Sequence, residues 1–300
     1  MKTLFEELSH IPEPDLDPNV RASLNTAARI RANNVYAYMA EDKKDFASLI
    51  EHLPIVIPPF PTTWIEFDLS DQNDKATAGY LLIREKIGEE TTLQLPKKVR
   101  ESGATWAVYA QAFTRGGTVQ MPLSDGSTTF IHLENGKSPF SFLLSLHEDG
   151  TIIGDQNGIL ISFAPQYEAA LRQNNYYDLS RIAELEIFSV ALFALSLLSC
   201  KNVTLEAVDP PATLKHRNRH VQPAISYHVL KIRPMSTHTR GGGQWIGGGS
   251  PSLHIRRGHF KDYREGEGLF GRVHGIYWWE SAVVGRAGSV VEKDYEIDPK

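Results

Sequence analysis

The stretch LHIRRGHFKDYREGEGLFGRVHGIYWWES, residues 253–281, gathers the side chains of this chain best suited to chemistry. His254 and His259 bracket Arg256, Arg257 and Gly258. Lys261, Tyr263 and Arg264 follow, and Trp278 and Trp279 stand near the end. Cations beside aromatic rings suit an anionic or flat ligand, because Arg and Lys neutralise phosphate and a ring gives an exposed base a surface to stack on. A metal-independent ribonuclease asks for more. One imidazole takes the 2′-hydroxyl proton, a second protonates the leaving oxygen, and arginine holds the phosphorane charge. His254, His259, Arg257, Lys261 and Tyr263 supply the residue types. Along a plain strand, however, Arg257 and His259 face one way and His254 and Arg256 the other. That split separates acid from base and leaves phosphate binding intact, so binding without cleavage is expected. The same alternation lets only one of Trp278 and Trp279 face a given side.

The wider neighbourhood is basic. Residues 214–264 hold ten Lys and Arg, six His and one acid, Asp262. Residues 1–200 carry 16 basic and 26 acidic side chains, and residues 201–300 carry 15 and 10, so the net −5 hides a charge split between the two parts. Such a block is the footprint of an anion-binding surface, or of a face that pairs with acidic protein surface. Lys215, Arg217 and Arg219 extend it within PPATLKHRNRHVQP. His216 and His220 share the i, i+4 spacing of a metal pair, but the cations between them repel a divalent ion, and no metal site is expected. Glu66 and Asp68, two apart on one strand, share a face that reads as exposed sheet. The single cysteine, Cys200, ends an apolar run and reads as a buried small hydrophobe.

Several chemistries are missing from the pattern. There is no G-x-x-x-x-G-K-[ST], no G-x-S-x-G, no H-E-x-x-H and no C-x-x-C. The glycines at 241–249 lack the context of a dinucleotide fingerprint, so no cofactor is expected. One cysteine excludes an internal disulfide framework. The N-terminus, MKTLFEELSHIPEPD, lacks the apolar region of a secretory signal, and the longest apolar run, Ile187 to Cys200, is shorter than the roughly 20 residues of a membrane span. The expectation is a soluble, cytoplasmic protein with no membrane partner.

The elements that must position these residues follow from periodicity. Asp17-Pro18 opens a helix read over 17–40, with a second short helix near 44–52. Four prolines within PIVIPPFP make 54–61 an extended connector. From Trp64 the period becomes two, and strands are read at 64–70, 78–87, 104–113, 118–123, 128–134, 141–147 and 158–164. Turns are read at ENGK (134–137) and EDGT (148–151). Asp178 is read as the cap of a helix running to 199, apolar on nearly all sides and therefore buried, with Glu184 and Glu186 early enough to favour its positive end. Further strands are read at 201–208 and 225–233, and GGGQWIGGGSPS (241–252) as a mobile loop around Trp245.

PPFPTTWIEFD (58–68), LLSCKNVTLEAVDPP (197–211), SYHVLKIRP (226–234) and SPSLHIRRGHFKDYREGEGLFGRVHGIYWWESAVVGRA (250–287) together resemble a family of uncharacterised bacteriophage and prophage proteins. The H-x-R-R-G-H pattern, the aromatic strand and the V-x-G close carry most of the resemblance. It implies a phage or mobile-element product acting in a bacterial cytoplasm, and it brings no catalytic residue with it.

The reading is an α+β protein with a curved antiparallel sheet packed on one buried helix. Residues 1–57 form an N-terminal helical segment, 58–210 the core, and 211–300 a basic β-rich region. The expected function is non-enzymatic binding of DNA or RNA through Arg256, Arg257, His259, Lys261, Arg264, Lys215, Arg217 and Arg219, with Trp278 or Trp279 stacking. A host or phage protein bound by the same basic surface is the alternative, and a metal-independent ribonuclease the third.

Overall fold

The computed structural model describes residues 3–8, 17–33, 35–36, 39, 50, 52–69, 76–88, 93–122, 128–133, 136–154, 158–173, 177–208, 227–232, 254–256, 258–269, 271–279 and 282–284. The chain forms two compact units: Met1–Ser196 with Glu206–Val229, and Leu197–Leu205 with Leu230–Lys300. Helices and strands are mixed, and the main sheet is open and mostly antiparallel, as an α+β protein requires. No helix among the described residues is long and apolar enough to cross a membrane.

The first unit begins with helices α1 (Leu4–Leu8) and α2 (Pro18–Thr26). Asp17 caps α2 by accepting from the Asn19 N–H at 2.8 Å, and Pro18 sits where its missing N–H costs nothing. The helix read over 17–40 is corrected by the structure. The backbone extends at Ala27, and Ala28–Arg31 form strand β1. Ile30 is fully buried between half-buried Arg29 and Arg31, a period of two that four residues are too few to announce. Sheet pairing on both sides of β1 overrides the local helical stripe.

Strands β2 (Thr62–Asp68), β3 (Thr77–Lys86), β4 (Trp106–Arg115), β7 (Gly136–Leu146), β8 (Ile159–Phe163), β9 (Val203–Val208) and β10 (Tyr227–Ile232) complete the main sheet in the order β8-β7-β4-β3-β2-β1-β10-β9. β1 runs parallel to β2 and to β10, while β2-β3, β3-β4, β4-β7 and β7-β8 are antiparallel. Strands β5 (Gly117–Pro122) and β6 (Thr128–Leu133) pair only with each other among the described residues. Of the turn read at ENGK, Glu134 and Asn135 lie outside the described residues, and Gly136 and Lys137 belong to β7. The turn read at EDGT is present: the His147 N–H donates to the Thr151 carbonyl at 2.9 Å, and Gly150 takes φ +87°, which only glycine adopts freely. The proline-rich connector is extended, and its Ile55 carbonyl accepts from Ser196 Oγ at 2.8 Å. Two further helices are α3 (Lys97–Arg100) and α4 (Pro165–Gln173).

Both faces of the sheet are covered, so Thr63 to Phe67 of β2 are buried without a break. On one face Leu4, Phe5 and Leu8 of α1 and Leu24 of α2 pack on Trp64, Leu81 and Phe113. Gly79 makes room for this packing, since a Cβ there would stand 2.4 Å from the Trp64 ring. On the other face lies helix α5 (Tyr177–Leu198), with Phe188 stacked on Phe142 at 4.1 Å and against Tyr80 at 5.0 Å. Every residue from Phe188 to Leu197 is at most 4% exposed, as an all-round apolar helix demands. Asp178 lies inside the first turn of α5.

The acidic residues of this unit overturn two expectations. Glu66 is 2% exposed and ties α1 to the sheet, accepting from the Phe5 N–H at 3.1 Å and the Trp64 indole N–H at 3.0 Å, with Arg31 at 3.7 Å. Burial raises its pKa against the pull of those donors. Glu184 and Glu186 lie beyond the first turn, where a helix dipole has faded, and both are 6% exposed. Burial alone pushes the Glu184 carboxyl up to about 8. Cys200 is buried as read, and its thiol is pushed up to about 12, chiefly by burial.

Candidate nucleic-acid interface

The opening stretch of the sequence folds as a two-part hairpin in the second unit. Strand β11 (His254–Arg256) pairs with β14 (Ala282–Val284), and β12 (His259–Asp262) pairs with β13 (Ile276–Trp279). From His254↔Val284 to Asp262↔Ile276 both strands advance by eight positions, so the two pairings share one antiparallel register. Aromatic and β-branched residues on β13 and β14 favour this ladder. The turn between β12 and β13 is set by glycines at positive φ, namely Gly266, Gly268, Gly271 and Gly275. At its base the Tyr263 N–H donates to the Gly275 carbonyl at 2.8 Å.

β13 is held from its other side as well. The Lys201 N–H donates to the Ile276 carbonyl at 2.8 Å, and Cys200 bridges Ile276 in parallel. Asn202 donates from Nδ2 to the Trp278 carbonyl at 2.8 Å and accepts the Trp278 N–H at 3.0 Å. A 6% exposed amide thereby satisfies two backbone groups that burial would otherwise leave without partners. Sequence reasoning missed Asn202, because a lone asparagine after an apolar helix reads as an ordinary turn residue.

The two tryptophans part company. Trp278 is 3% exposed, with Phe260 edge-on at 4.7 Å. It is a core residue and no platform for a base. Trp279 is half-buried, and the Lys261 ammonium sits 4.2 Å from its ring centroid. His259 is the cross-strand partner of Trp279, and Lys261 stands two residues on, so the three belong to one face of the hairpin. Tyr277, on that same face, is buried against Tyr263.

Arg264 is tied down. Its Nε donates to both Asp262 carboxylate oxygens, at 3.1 and 2.9 Å, and its Nη2 to Oδ2 at 2.8 Å. The Arg264 N–H also reaches Asp262 Oδ1 at 2.9 Å. The one acid of the basic block thus neutralises one of its arginines. That pairing was within reach of the sequence, since Asp262 stands two residues before Arg264. Lys215, Arg217, Arg219 and Arg257 lie outside the described residues, and Arg256 is placed in β11 through its backbone. His216, His220 and Trp245 also lie outside them.

The arrangement can offer an anion the Lys261 ammonium resting on the Trp279 ring, and the His259 imidazole across the ladder from it. His254 is placed in β11 through its backbone and His259 lies in β12. No group of three or more His, Cys, Asp or Glu with metal-binding geometry occurs among the described residues. Comparison with family models, with curated proteins and with solved structures gives no match, so the function has to be argued from these residues.

Proposed function

We propose that this is a nucleic-acid-binding protein of a phage or other mobile element, acting in the bacterial cytoplasm through the basic and aromatic residues of its C-terminal region. The observation that carries the reading is the Lys261 ammonium held over the Trp279 ring, with His259 across the ladder. A phosphate meets the cation there, and a base unstacked from its strand meets the ring edge or face. Trp279 is the stacking residue of the pair, since Trp278 is enclosed. Arg264 contributes least, because binding phosphate would mean giving up its carboxylate. The surplus of ten basic residues over one acid in 214–264 supplies the sequence-independent attraction.

The test is a titration with single- and double-stranded DNA and RNA at several salt concentrations. Affinity should fall linearly on a log–log plot against salt, and Lys261→Ala should weaken binding uniformly across sequences and lower the slope by about 1. Absence of binding at about 50 mM salt ends the proposal, since counterion release is then at its most favourable.

A further inference from the structure

A second site lies in the first unit, far from the hairpin in sequence. An open surface cleft of about 560 Å³ is lined, among the described residues, by Ile87, Gly88, Leu93, Gln94, Leu95, Pro96 and Arg100. Its size falls within the roughly 300–1,000 Å³ typical of small-ligand clefts. The walls are fastened to the sheet. Past the end of β3, the Ile87 N–H donates to the Thr105 carbonyl at 2.9 Å, and the Leu93 N–H donates to Glu85 Oε2 at 3.1 Å. Val99, 1% exposed, anchors α3 beneath, and the Ser102 hydroxyl closes that turn on the Val99 carbonyl at 2.7 Å.

The chemistry of the lining is two-sided. Ile87, Leu93, Leu95 and Pro96 give an apolar wall, and Arg100 gives a guanidinium. Of the described acids nearby, Glu85 accepts from the Leu93 amide and Glu101 lies 3.7 Å from Lys97. Arg100 makes no ion pair among the described residues and is exposed, in a helix of sequence KKVR with no acid inside it. A cation at the rim of an apolar cleft selects a ligand with one anionic group and an apolar body. A carboxylate matches the planar fork of a guanidinium with two parallel hydrogen bonds, as a phosphate also does, and it carries the smaller charge to bring beside an apolar wall.

We propose that this pocket binds a small amphipathic carboxylate, its head on Arg100 and its chain along Ile87, Leu93 and Leu95. The site is independent of the nucleic-acid reading. Gly88 supplies the sharpest test. A Cβ there meets nothing within 4 Å and its φ lies outside the left-handed range, so Gly88→Trp adds bulk at the lining of the cleft without straining the chain, while Gly88→Ser adds little.

The measurement is a titration followed by nuclear magnetic resonance of the full chain, with octanoate, octanamide and octylamine as probes. Octanoate should saturate, octanamide should bind at least tenfold more weakly, and octylamine should not bind. Arg100→Ala should cost octanoate at least tenfold, Gly88→Trp should abolish its binding, and Gly88→Ser should keep it, with thermal melts of all variants matching the parent. No saturable octanoate binding up to about 10 mM overturns the proposal. So does octanamide binding as tightly as octanoate, or full octanoate affinity in Gly88→Trp.

Discussion

The main sheet and the C-terminal hairpin use their charged residues in opposite ways. In the sheet, Glu66 is enclosed and its partners come from far along the chain, the Phe5 amide standing 61 positions away. In the hairpin, Arg264 is satisfied by Asp262 two positions away, and both remain solvent-accessible. Lys261 rests on Trp279 across one short ladder. An enclosed carboxylate is costly to strand and so fixes a fold. An exposed local pair contributes little to stability and costs little to rearrange. Charge count alone does not separate the two roles: Glu66 is enclosed and ties elements together, while Asp262, Arg264 and Lys261 are partnered locally within one hairpin.

The largest loss of stability is expected at Glu66. Glu66→Leu leaves the Phe5 amide and the Trp64 indole N–H without acceptors, and should destabilise the first unit by about 3–5 kcal/mol in chemical unfolding. A loss under about 1 kcal/mol would mean that the carboxylate is not the tie described.

Glu184 should behave in the reverse sense. No hydrogen bond or ion pair to it exists among the described residues, and burial alone raises its pKa to about 8 from 4.5. The folded chain therefore binds the extra proton between those values, and the stability of the parent falls as pH rises through that window. Glu184→Gln should stabilise by about 2–4 kcal/mol at pH 9 and by almost nothing at pH 4, where both states hold the proton. Melts over that pH range check the slope, and parallel curves for the two proteins would refute it.

Gly79→Ala probes packing against Trp64 and should cost about 1–3 kcal/mol, since the indole must shift to admit the methyl group. In the hairpin, Asn202→Ala should cost about 2 kcal/mol, because the Trp278 amide and carbonyl lose their buried partner. Tryptophan fluorescence in urea reports whether Trp278 becomes wetter. The smallest stability change is expected at Asp262→Asn, under about 0.5 kcal/mol for an exposed pair. That variant releases Arg264, so nucleic-acid affinity should rise and the salt slope steepen by about 1. Unchanged affinity would place Arg264 outside the contact surface.

Much of the fold was legible because it repeats. The strands from Trp64 onward match their alternating pattern to within a few residues, apart from the early start of β7, and the apolar helix is buried as its composition demanded. β1 was not legible. Four residues of Ala and Arg around one Ile carry too short a period, and their state is decided by parallel pairing to β2 and β10. The second helical layer over Trp64 was missed for the same reason, since it rests on partners distant in sequence, whereas helix α4 and the local pairing of β5 with β6 were missed although both are built from neighbouring residues.

At the hairpin the sequence alone determined residue types, charge and alternation: cations, two adjacent tryptophans, and the rule that only one of them faces a given side. Tertiary structure decided which one. Asn202 holds the backbone of Trp278 from beyond the hairpin, the Trp278 ring is enclosed with Phe260 edge-on, and Trp279 keeps part of its ring in reach of Lys261. Alternation is a local property of an extended chain and can be read from it. Which face becomes the inside depends on what packs there, and that is supplied by residues more than seventy positions away.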